Sequence, residues 1–244
     1  MPVDNKESIR INKYLAESGI CSRREADKLI ADKKVLINDM IAITGMQVSL
    51  GDIIKVNNQV IKPKKDKTYI LFNKPLGVIC TNDLDIKGNI RSFINYPELI
   101  FPIGRLDKES TGIILLTNDG DIVNKILRAE NNKEKEYVVT VDKDISKEFI
   151  LSMSKGVKIY NPVLHKDVYT NPCKVTQTSL RTFKIILSQG LNRQIRRMTK
   201  ELGYNVKSLE RIRIMHLKIG SLKQGTYRHL TEEELKQLKI MIKK

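Results

Sequence analysis

The chain has 244 residues, with 44 Lys and Arg against 28 Asp and Glu, and a formal net charge of +16. This length can bury at least one hydrophobic core and leaves room for two domains. The positive charge favours a polyanionic partner, above all nucleic acid; a basic protein without such a partner is the alternative. No apolar run is long enough to span a bilayer and no secretory segment is recognisable, so we expect a cytoplasmic protein that does not bind membranes.

The cysteines and histidines form no spacing typical of a metal site. Cys21, Cys80 and Cys173 lie far apart, and none belongs to a Cys-x-x-Cys pair. Three widely spaced cysteines are typical of reduced thiols in a cytoplasm. The sequence therefore predicts no metal site.

The first sixty residues predict two short helices followed by small strands. Apolar residues recur at helical spacing before Gly19, which ends the first helix. Ser22 and Glu25 form a capping box that begins the second helix. Val35–Asn38 is predicted to be a strand, and Val48–Val56 is rich in strand-forming residues. A unit of this size is near the lower limit for independent folding.

The segment 63–68 is polar, contains a proline and lacks periodicity. It is predicted to be a linker between a first domain of residues 1–62 and a second domain of residues 69–244.

The second domain combines predicted strands with scattered helices. Strands are predicted at Tyr69–Phe72, Gly77–Cys80, Glu136–Val141 and Phe183–Leu187. Helices are predicted at Ser146–Met153, at Asn192–Leu202 and after a second capping box formed by Thr231 and Glu234. This mixture predicts an α+β fold with a mixed, mainly antiparallel sheet.

One acidic residue of the second domain is flanked by cations in a segment bounded by glycines. Asp107 lies between Arg105 and Lys108 within the run Gly104–Gly112, and the apolar run Ile113–Leu116 follows. The apolar run predicts a buried strand. We therefore expect Asp107 on a tight loop that leads into a core strand, where its carboxylate can face a cleft.

The first domain resembles the S4 RNA-binding domain. The matching segments are Arg10–Leu15, Gly19–Ala26, Val35–Asn38 and Gly51-Asp52. In that family a pair of helices presents a basic face to folded RNA, so the resemblance implies RNA contacts from Arg10, Lys13, Arg23, Arg24 and Lys28. An ordinary solvated helix face is the alternative. Contacts to phosphates would give affinity and salt sensitivity with little choice of sequence.

The second domain resembles the pseudouridine synthases. The matching segments are Asn73–Gly77, Gly104–Gly112, Lys135–Tyr137 and Gly190–Met198. The resemblance implies that Asp107 is the catalytic carboxylate, that Tyr137 stacks on the target base and assists proton transfer, and that Arg196 is the basic partner of Asp107. It also implies that Arg105 helps to fill the space left by the flipped base. Arg193 and Arg197 are expected to hold phosphate or to face water.

The residue types suit the isomerisation that this resemblance implies. Uridine loses its N-glycosidic bond, the base turns over, and the base rejoins the sugar through carbon. No net oxidation occurs and no outside group is transferred, so no cofactor is expected. A carboxylate can act as nucleophile or base, and a nearby arginine favours its charged form.

Three further segments resemble the branch of this family that carries an N-terminal S4 domain and modifies ribosomal RNA. They are Phe101–Asp107, Gly120–Ala129 and Leu209–Met215. We therefore expect a synthase that acts on a uridine of large-subunit ribosomal RNA, with transfer RNA left open as a second substrate. The alternatives are a sister synthase with another ribosomal target and a non-catalytic S4-domain assembly factor. A monomer is the default expectation.

Overall fold

The computed structural model describes residues 8–63, 66–127 and 133–243. They form two compact units. The first contains the described residues up to Thr68 with Tyr96–Ile100 and Asn118–Gly120, and the second contains Tyr69–Asn95, Phe101–Thr117 and the residues from Asp121 onward. Four residues of predicted segments, Lys64 and Lys65 of the linker and Arg128 and Ala129 of the branch motif, lie outside the described residues.

The described residues of the first unit form two helices and six short strands. Its elements are β1 (Ile9–Arg10), α1 (Ile11–Glu17), α2 (Arg23–Ala31), β2 (Val35–Ile37), β3 (Met40–Ile41), β4 (Gln47–Val48), β5 (Ile54–Val56) and β6 (Gln59–Ile61). Strands β3, β2, β5 and β6 form an antiparallel sheet in that order, and β1 pairs with β4. Apolar residues of both helices, including Ile11, Leu15, Ala26 and Ile30, pack with strand residues in one core.

The predicted capping box is confirmed at the start of α2. The backbone N–H of Ser22 donates to Oε2 of Glu25 at 2.6 Å, and the backbone N–H of Glu25 donates to Oγ of Ser22 at 3.3 Å. The first helix starts at Ile11, slightly later than the apolar spacing indicates, because Ile9 and Arg10 pair with β4 instead. Local hydrogen bonds therefore set the second helix, and strand pairing sets the start of the first.

The second unit is built on a large mixed sheet with helices between its strands. Its strands are β7 (Tyr69–Lys74), β8 (Phe101–Pro102), β9 (Thr111–Thr117), β10 (Lys135–Val141), β11 (Lys158–Asn161), β12 (Lys166–Tyr169), β13 (Lys174–Ser179), β14 (Thr182–Leu187), β15 (Val206–Ile214), β16 (Leu217–Lys218) and β17 (Tyr227–His229). Its helices are α3 (Ile90–Ile94), α4 (Asp121–Leu127), α5 (Lys147–Lys155), α6 (Gln194–Glu201) and α7 (Glu232–Lys243).

The main sheet has the order β13-β14-β10-β15-β9-β7-β17, with β16 beside β15 and β8 beside β9. Within the described ranges all its pairings are antiparallel except β15 with β9, which is parallel. The sequence-based prediction of an α+β fold with a mixed, mainly antiparallel sheet is therefore confirmed.

The strand predicted at Gly77–Cys80 is wrong. After β7 the chain leaves the sheet, and Ile79 forms only an isolated bridge with Asn89. The N–H of Gly77 donates to the carbonyl of Lys108 at 2.9 Å, and that of Ile79 donates to the carbonyl of Gly88 at 2.9 Å. The backbone hydrogen bonds of this segment thus go to other loops, including the one that carries Asp107.

Two apolar cores support the sheet of the second unit. One packs α5 and α6 on β10 and β14 through residues such as Phe149, Met198, Val139 and Phe183. The other packs α4 and α7 on β7 and β9 through residues such as Ile126, Leu238, Leu71 and Leu115. The predicted buried run Ile113–Leu116 is confirmed as the centre of β9, with all four residues buried.

Gly112 leaves no room for a side chain where β9 pairs with β15. It has a φ of +104°, and a Cβ placed on it would lie 2.2 Å from the carbonyl oxygen and 2.5 Å from the nitrogen of Arg211. No side chain fits against backbone at that distance, and residues other than glycine rarely adopt this φ. The parallel pairing of β9 with β15 therefore requires glycine here.

We expect Gly112→Ala to lower the free energy of unfolding by roughly 2–5 kcal/mol, because the added methyl group overlaps backbone atoms and strains φ. Urea denaturation measures this change. Gly77→Ala is the matched control, since Gly77 has a φ of +88° and a Cβ added there would meet nothing within 4 Å. Equal effects of the two substitutions would contradict the steric explanation.

Candidate active site

Asp107 lies on a loop that is anchored on both sides of it. Leu106 is buried, and its N–H donates to Sγ of Cys80 at 3.4 Å. Ser110 is also buried, and its N–H donates to the carbonyl of Asp107 at 3.0 Å, which closes a tight turn. The side chain of Asp107 itself keeps 34% of its surface exposed. The predicted tight loop is therefore present, and it presents a partly exposed carboxylate on a fixed backbone.

Arg193 is the cation that pairs with this loop. Its Nη1 lies 2.7 Å from Oε2 of Glu109 and 3.8 Å from Oδ2 of Asp107. The hydrogen bond from Arg193 holds the pKa of Glu109 below its usual value, and the same bond raises the pKa of Arg193. Arg193 precedes α6 in the left-handed backbone region, with a φ of +49°. Its side chain remains 40% exposed, so the expected contact with phosphate stays a prediction beside these two carboxylate contacts.

Arg196, predicted to be the partner of Asp107, contacts the same loop through different atoms. Its Nη2 donates to the carbonyl of Glu109 at 2.8 Å and to Oγ of Ser110 at 3.3 Å. Burial lowers the pKa of Arg196, as does repulsion from Arg193, while attraction to Asp107 and Glu109 opposes this. The ion pair assigned to Arg196 is thus made by Arg193, because Arg196 reaches the backbone that follows Asp107. A catalytic role for Arg196 stays a prediction.

Tyr137 occupies a cross-strand row that leads to the Asp107 loop. It lies opposite Arg211 on β15, and Arg211 lies opposite Gly112 on β9. Gly112 is also opposite Lys74 on β7. Tyr137 is partly buried and packs against the core of β10 and β14. The sheet register therefore places Tyr137 two strands from the glycine that ends the loop.

Two buried cations near the loop were not identified as site residues from the sequence. Lys74 is fully buried, and its Nζ donates to the carbonyls of Pro75 and Val78, each at 2.9 Å. Burial lowers the pKa of Lys74, while attraction to groups that include Asp107 opposes this. Arg211 is 3% exposed. The burial of Arg211 could have been predicted from strand alternation, because Arg211 shares a face of β15 with the buried Leu209 two residues earlier.

The basic residues expected to bind RNA differ in how they are held. Arg10, Arg23, Arg24, Lys28 and Arg105 are exposed. Lys13 is partly buried and pairs with Glu17 at 3.5 Å. Arg197 donates to the carbonyls of Asn192 and Tyr160, each at 3.0 Å. Exposed cations can reach phosphates directly, whereas Arg197 is engaged in joining α6 to β11.

Among the residues that the structure describes, no group of three or more His, Cys, Asp or Glu could hold a metal ion. Burial raises the pKa of the Cys21 and Cys173 thiols to about 11. These thiols are therefore protonated and weakly nucleophilic near neutral pH. None of the helices in the described ranges is long and apolar enough to cross a membrane.

A partly exposed carboxylate on an anchored loop, in contact with arginines, suits an enzyme site for a polyanionic substrate, and the first unit adds exposed arginines at its helix pair. Residues 68–201 match the family model of RNA pseudouridylate synthases, and residues 9–54 match the model of the S4 domain. The chain belongs to the RNA pseudouridylate synthase family, and it carries an S4 RNA-binding domain. It is an isomerase of the pseudouridine synthase type, and the alternative of a non-catalytic binding protein is not favoured.

Individual relatives support this assignment over most of the chain. The chain is 51% identical to the dual-specificity RNA pseudouridine synthase RluF of Escherichia coli (strain K12), over 93% of this chain and 77% of the relative. It is 33% identical to ribosomal large subunit pseudouridine synthase B of Bacillus subtilis (strain 168), over 95% and 96% of the two chains. A crystal structure of a pseudouridylate synthase superposes with a TM-score of 0.68 and 31% identity, covering 94% of this chain and 99% of that one.

We expect Arg193→Gln to raise the pKa of Glu109 toward its usual value, because the hydrogen bond from Arg193 is the main cause of its lowering. Carboxyl-detected NMR titration of Glu109 measures this shift. Arg197→Gln is the control, since the described contacts of Arg197 are with Asn192 and Tyr160. An unchanged pKa in Arg193→Gln would show that the pair does not form in solution.

Proposed function

We propose that this enzyme converts one uridine, or a few, of large-subunit ribosomal RNA to pseudouridine, with Asp107 as the catalytic carboxylate. The observation that carries the proposal is the Asp107 loop of a pseudouridylate synthase, held against Arg193 and Arg196. The relatives are named as a large-subunit synthase and as dual-specificity synthases. These names favour ribosomal RNA with a second RNA substrate, for which we propose transfer RNA.

Asp107 acts as an ionised group in this proposal. A carboxylate must be charged to attack the sugar or base or to remove a proton from the sugar. Nη1 of Arg193 lies 3.8 Å from Oδ2 of Asp107, so a cation stands beside the carboxylate. The contact is longer than a direct hydrogen bond, so the carboxylate is attracted without being fully engaged. One third of its side chain is exposed, which leaves it accessible to a substrate.

The remaining predicted residues receive and hold the nucleotide. The target uridine must leave its stack to reach Asp107, at a cost of a few kcal/mol. Arg105 is exposed two residues before Asp107, and in this proposal it fills the space left by the base. Tyr137 offers an aromatic face for the uracil and a phenol for proton transfer. Exposed cations of the S4 domain grip phosphates, which offsets the cost of unstacking.

The proposed enzyme needs neither a cofactor nor a second subunit. The enzyme uses no cofactor, because the isomerisation has no net redox change and takes no group from outside. It acts as a monomer in the cytoplasm, where ribosomal RNA is found. Residues 1–62 form the RNA-binding domain, residues 63–68 the linker, and residues 69–244 the catalytic domain.

Pseudouridine mapping of total RNA from cells with and without this gene tests the reaction and its target. We expect loss of one large-subunit site, with restoration by the wild type but not by Asp107→Asn, which cannot supply a carboxylate. In a single-turnover assay Asp107→Asn should lower the rate by about 10⁴-fold or more. Asp144→Asn is the control, since Asp144 is an exposed carboxylate paired with Arg181.

Two outcomes of this experiment count against the proposal in different ways. Pseudouridine formation by Asp107→Asn at the wild-type rate would show that Asp107 is not the catalytic carboxylate. An unchanged map without the gene, together with no activity of the purified wild type on ribosomal or transfer RNA, would favour an assembly factor that only binds RNA.

We expect the double substitution Arg23→Gln and Arg24→Gln to weaken RNA binding and to reduce the slope of log K against log[salt] by about 1–2, since each lost phosphate contact removes about 0.7–0.9. Fluorescence anisotropy with a large-subunit RNA fragment, at salt concentrations between about 50 and 200 mM, measures this slope. Lys236→Gln with Lys239→Gln removes the same charge from exposed positions of α7. Equal slopes for both double variants would contradict a specific S4 contact.

A further inference from the structure

Arg211 is a buried cation whose described side-chain hydrogen bonds go to the Asp107 loop and to the strand that follows it. Its residue is 3% exposed, and no carboxylate among the described residues forms a salt bridge with it. Burying a guanidinium without a paired charge is costly unless its hydrogen bonds compensate for the lost water. Nothing in the reaction described so far uses Arg211.

The guanidinium of Arg211 reaches the backbone on both sides of Asp107. Its Nε donates to the carbonyl of Ile113 at 2.7 Å, and its Nη1 lies 3.5 Å from the carbonyl of Arg105. Arg105 precedes the aspartate by two residues and Ile113 follows it by six. The donors of a guanidinium are held in a rigid planar fork, so this side chain spans both carbonyls, with its short hydrogen bond at Ile113. The side chain of Arg211 therefore bridges the two ends of the segment that carries Asp107.

The backbone of Arg211 is itself fixed between the two strands that carry the site. On one side it makes the close approach to Gly112 of β9. On the other side it lies opposite Tyr137 of β10. Strand β15 therefore fixes the positions of both the loop and Tyr137 relative to each other. The side chain of Arg211 adds hydrogen bonds to the backbone near Asp107.

We infer that Arg211 is a positioning residue for the isomerisation, which sets the place of the Asp107 carboxylate relative to Tyr137 and Arg193. This inference rests on the proposed function. Arg211 acts through the backbone of the loop and does not react. A carboxylate displaced by about 1 Å can lose about 100-fold in rate while the substrate still binds. Loss of the guanidinium should therefore slow the chemical step more than it weakens RNA binding.

The test compares Arg211→Lys and Arg211→Met with the wild type in a single-turnover assay, with RNA affinity measured separately. Lysine keeps the charge but is a single donor centre, so it cannot hold both carbonyls in the geometry of the guanidinium. We expect the single-turnover rate to fall about 10-fold in Arg211→Lys and about 100-fold in Arg211→Met. The RNA dissociation constant should change by less than about twofold, since the residue is buried.

Arg213→Met is the matched control, because Arg213 is a partly buried cation of the same strand. Its partners are Glu134 and Glu136, at 3.0 and 2.8 Å, rather than the Asp107 loop. We expect this variant to lose stability, as measured by thermal unfolding, and to keep the single-turnover rate of its folded fraction. The same loss of rate in Arg213→Met as in Arg211→Met would overturn the inference.

The remaining outcomes are also decisive. A wild-type rate in Arg211→Lys would overturn the inference, as would a rate that falls only in proportion to the unfolded fraction. If neither Arg211 variant folds while Arg213→Met does, Arg211 serves the fold and not the position of Asp107. Failure of the proposed function is distinguishable, because the wild type itself would then form no pseudouridine in the same assay.

Discussion

The parallel pairing of β9 with β15 is the contact on which the site depends. A short parallel pairing, of Thr111 with Glu210 and of Gly112 with Arg211, joins the half of the sheet that carries Tyr137 to the half that carries the Asp107 loop. Parallel pairs are slightly less stable per residue than antiparallel ones, so this junction gains from additional contacts. The side chain of Arg211 supplies them, since it bonds to carbonyls of the chain it faces.

The charges around the loop follow from this geometry. Asp107 and Glu109 face Arg193. Arg196 donates instead to the backbone carbonyl of Glu109. Glu109 takes the short contact of 2.7 Å, and Asp107 takes the longer one of 3.8 Å. Glu109 thus orients the guanidinium through a direct hydrogen bond. The same guanidinium then lies close enough to attract the Asp107 carboxylate while leaving its oxygens accessible.

Features set by local sequence could be predicted, and features set by strand pairing could not. The capping box of Ser22 and Glu25 depends on residues three apart, and it forms as expected. The run of four apolar residues after Gly112 is typical of a strand that is buried on both faces, and it forms the centre of β9. By contrast, β13 is exposed on nearly every residue and has no alternating pattern. It exists because it pairs with β14, which is separated from it only by a turn.

The same division applies to the site. Asp107 could be selected from its motif, because glycines and flanking cations around it are visible in the chain. It could not be predicted which arginine near the start of α6 would meet it, since the left-handed φ of Arg193 turns the chain just before that helix. That turn directs Arg193 to the carboxylates and Arg196 to the loop backbone.

A catalytic loop anchored by buried hydrogen bonds and a second domain with exposed cations suit an enzyme that must find one nucleotide in a large RNA. Phosphate contacts from exposed cations are long in range and carry little sequence information, so they can bring RNA to the protein without selecting a base. Selection must then occur where the nucleotide is flipped, and that step tolerates little displacement of the reacting group. Buried hydrogen bonds to the loop, with Leu106 and Ser110 packed on either side of Asp107, meet this requirement. Affinity and accuracy can therefore reside in different residues of the same chain.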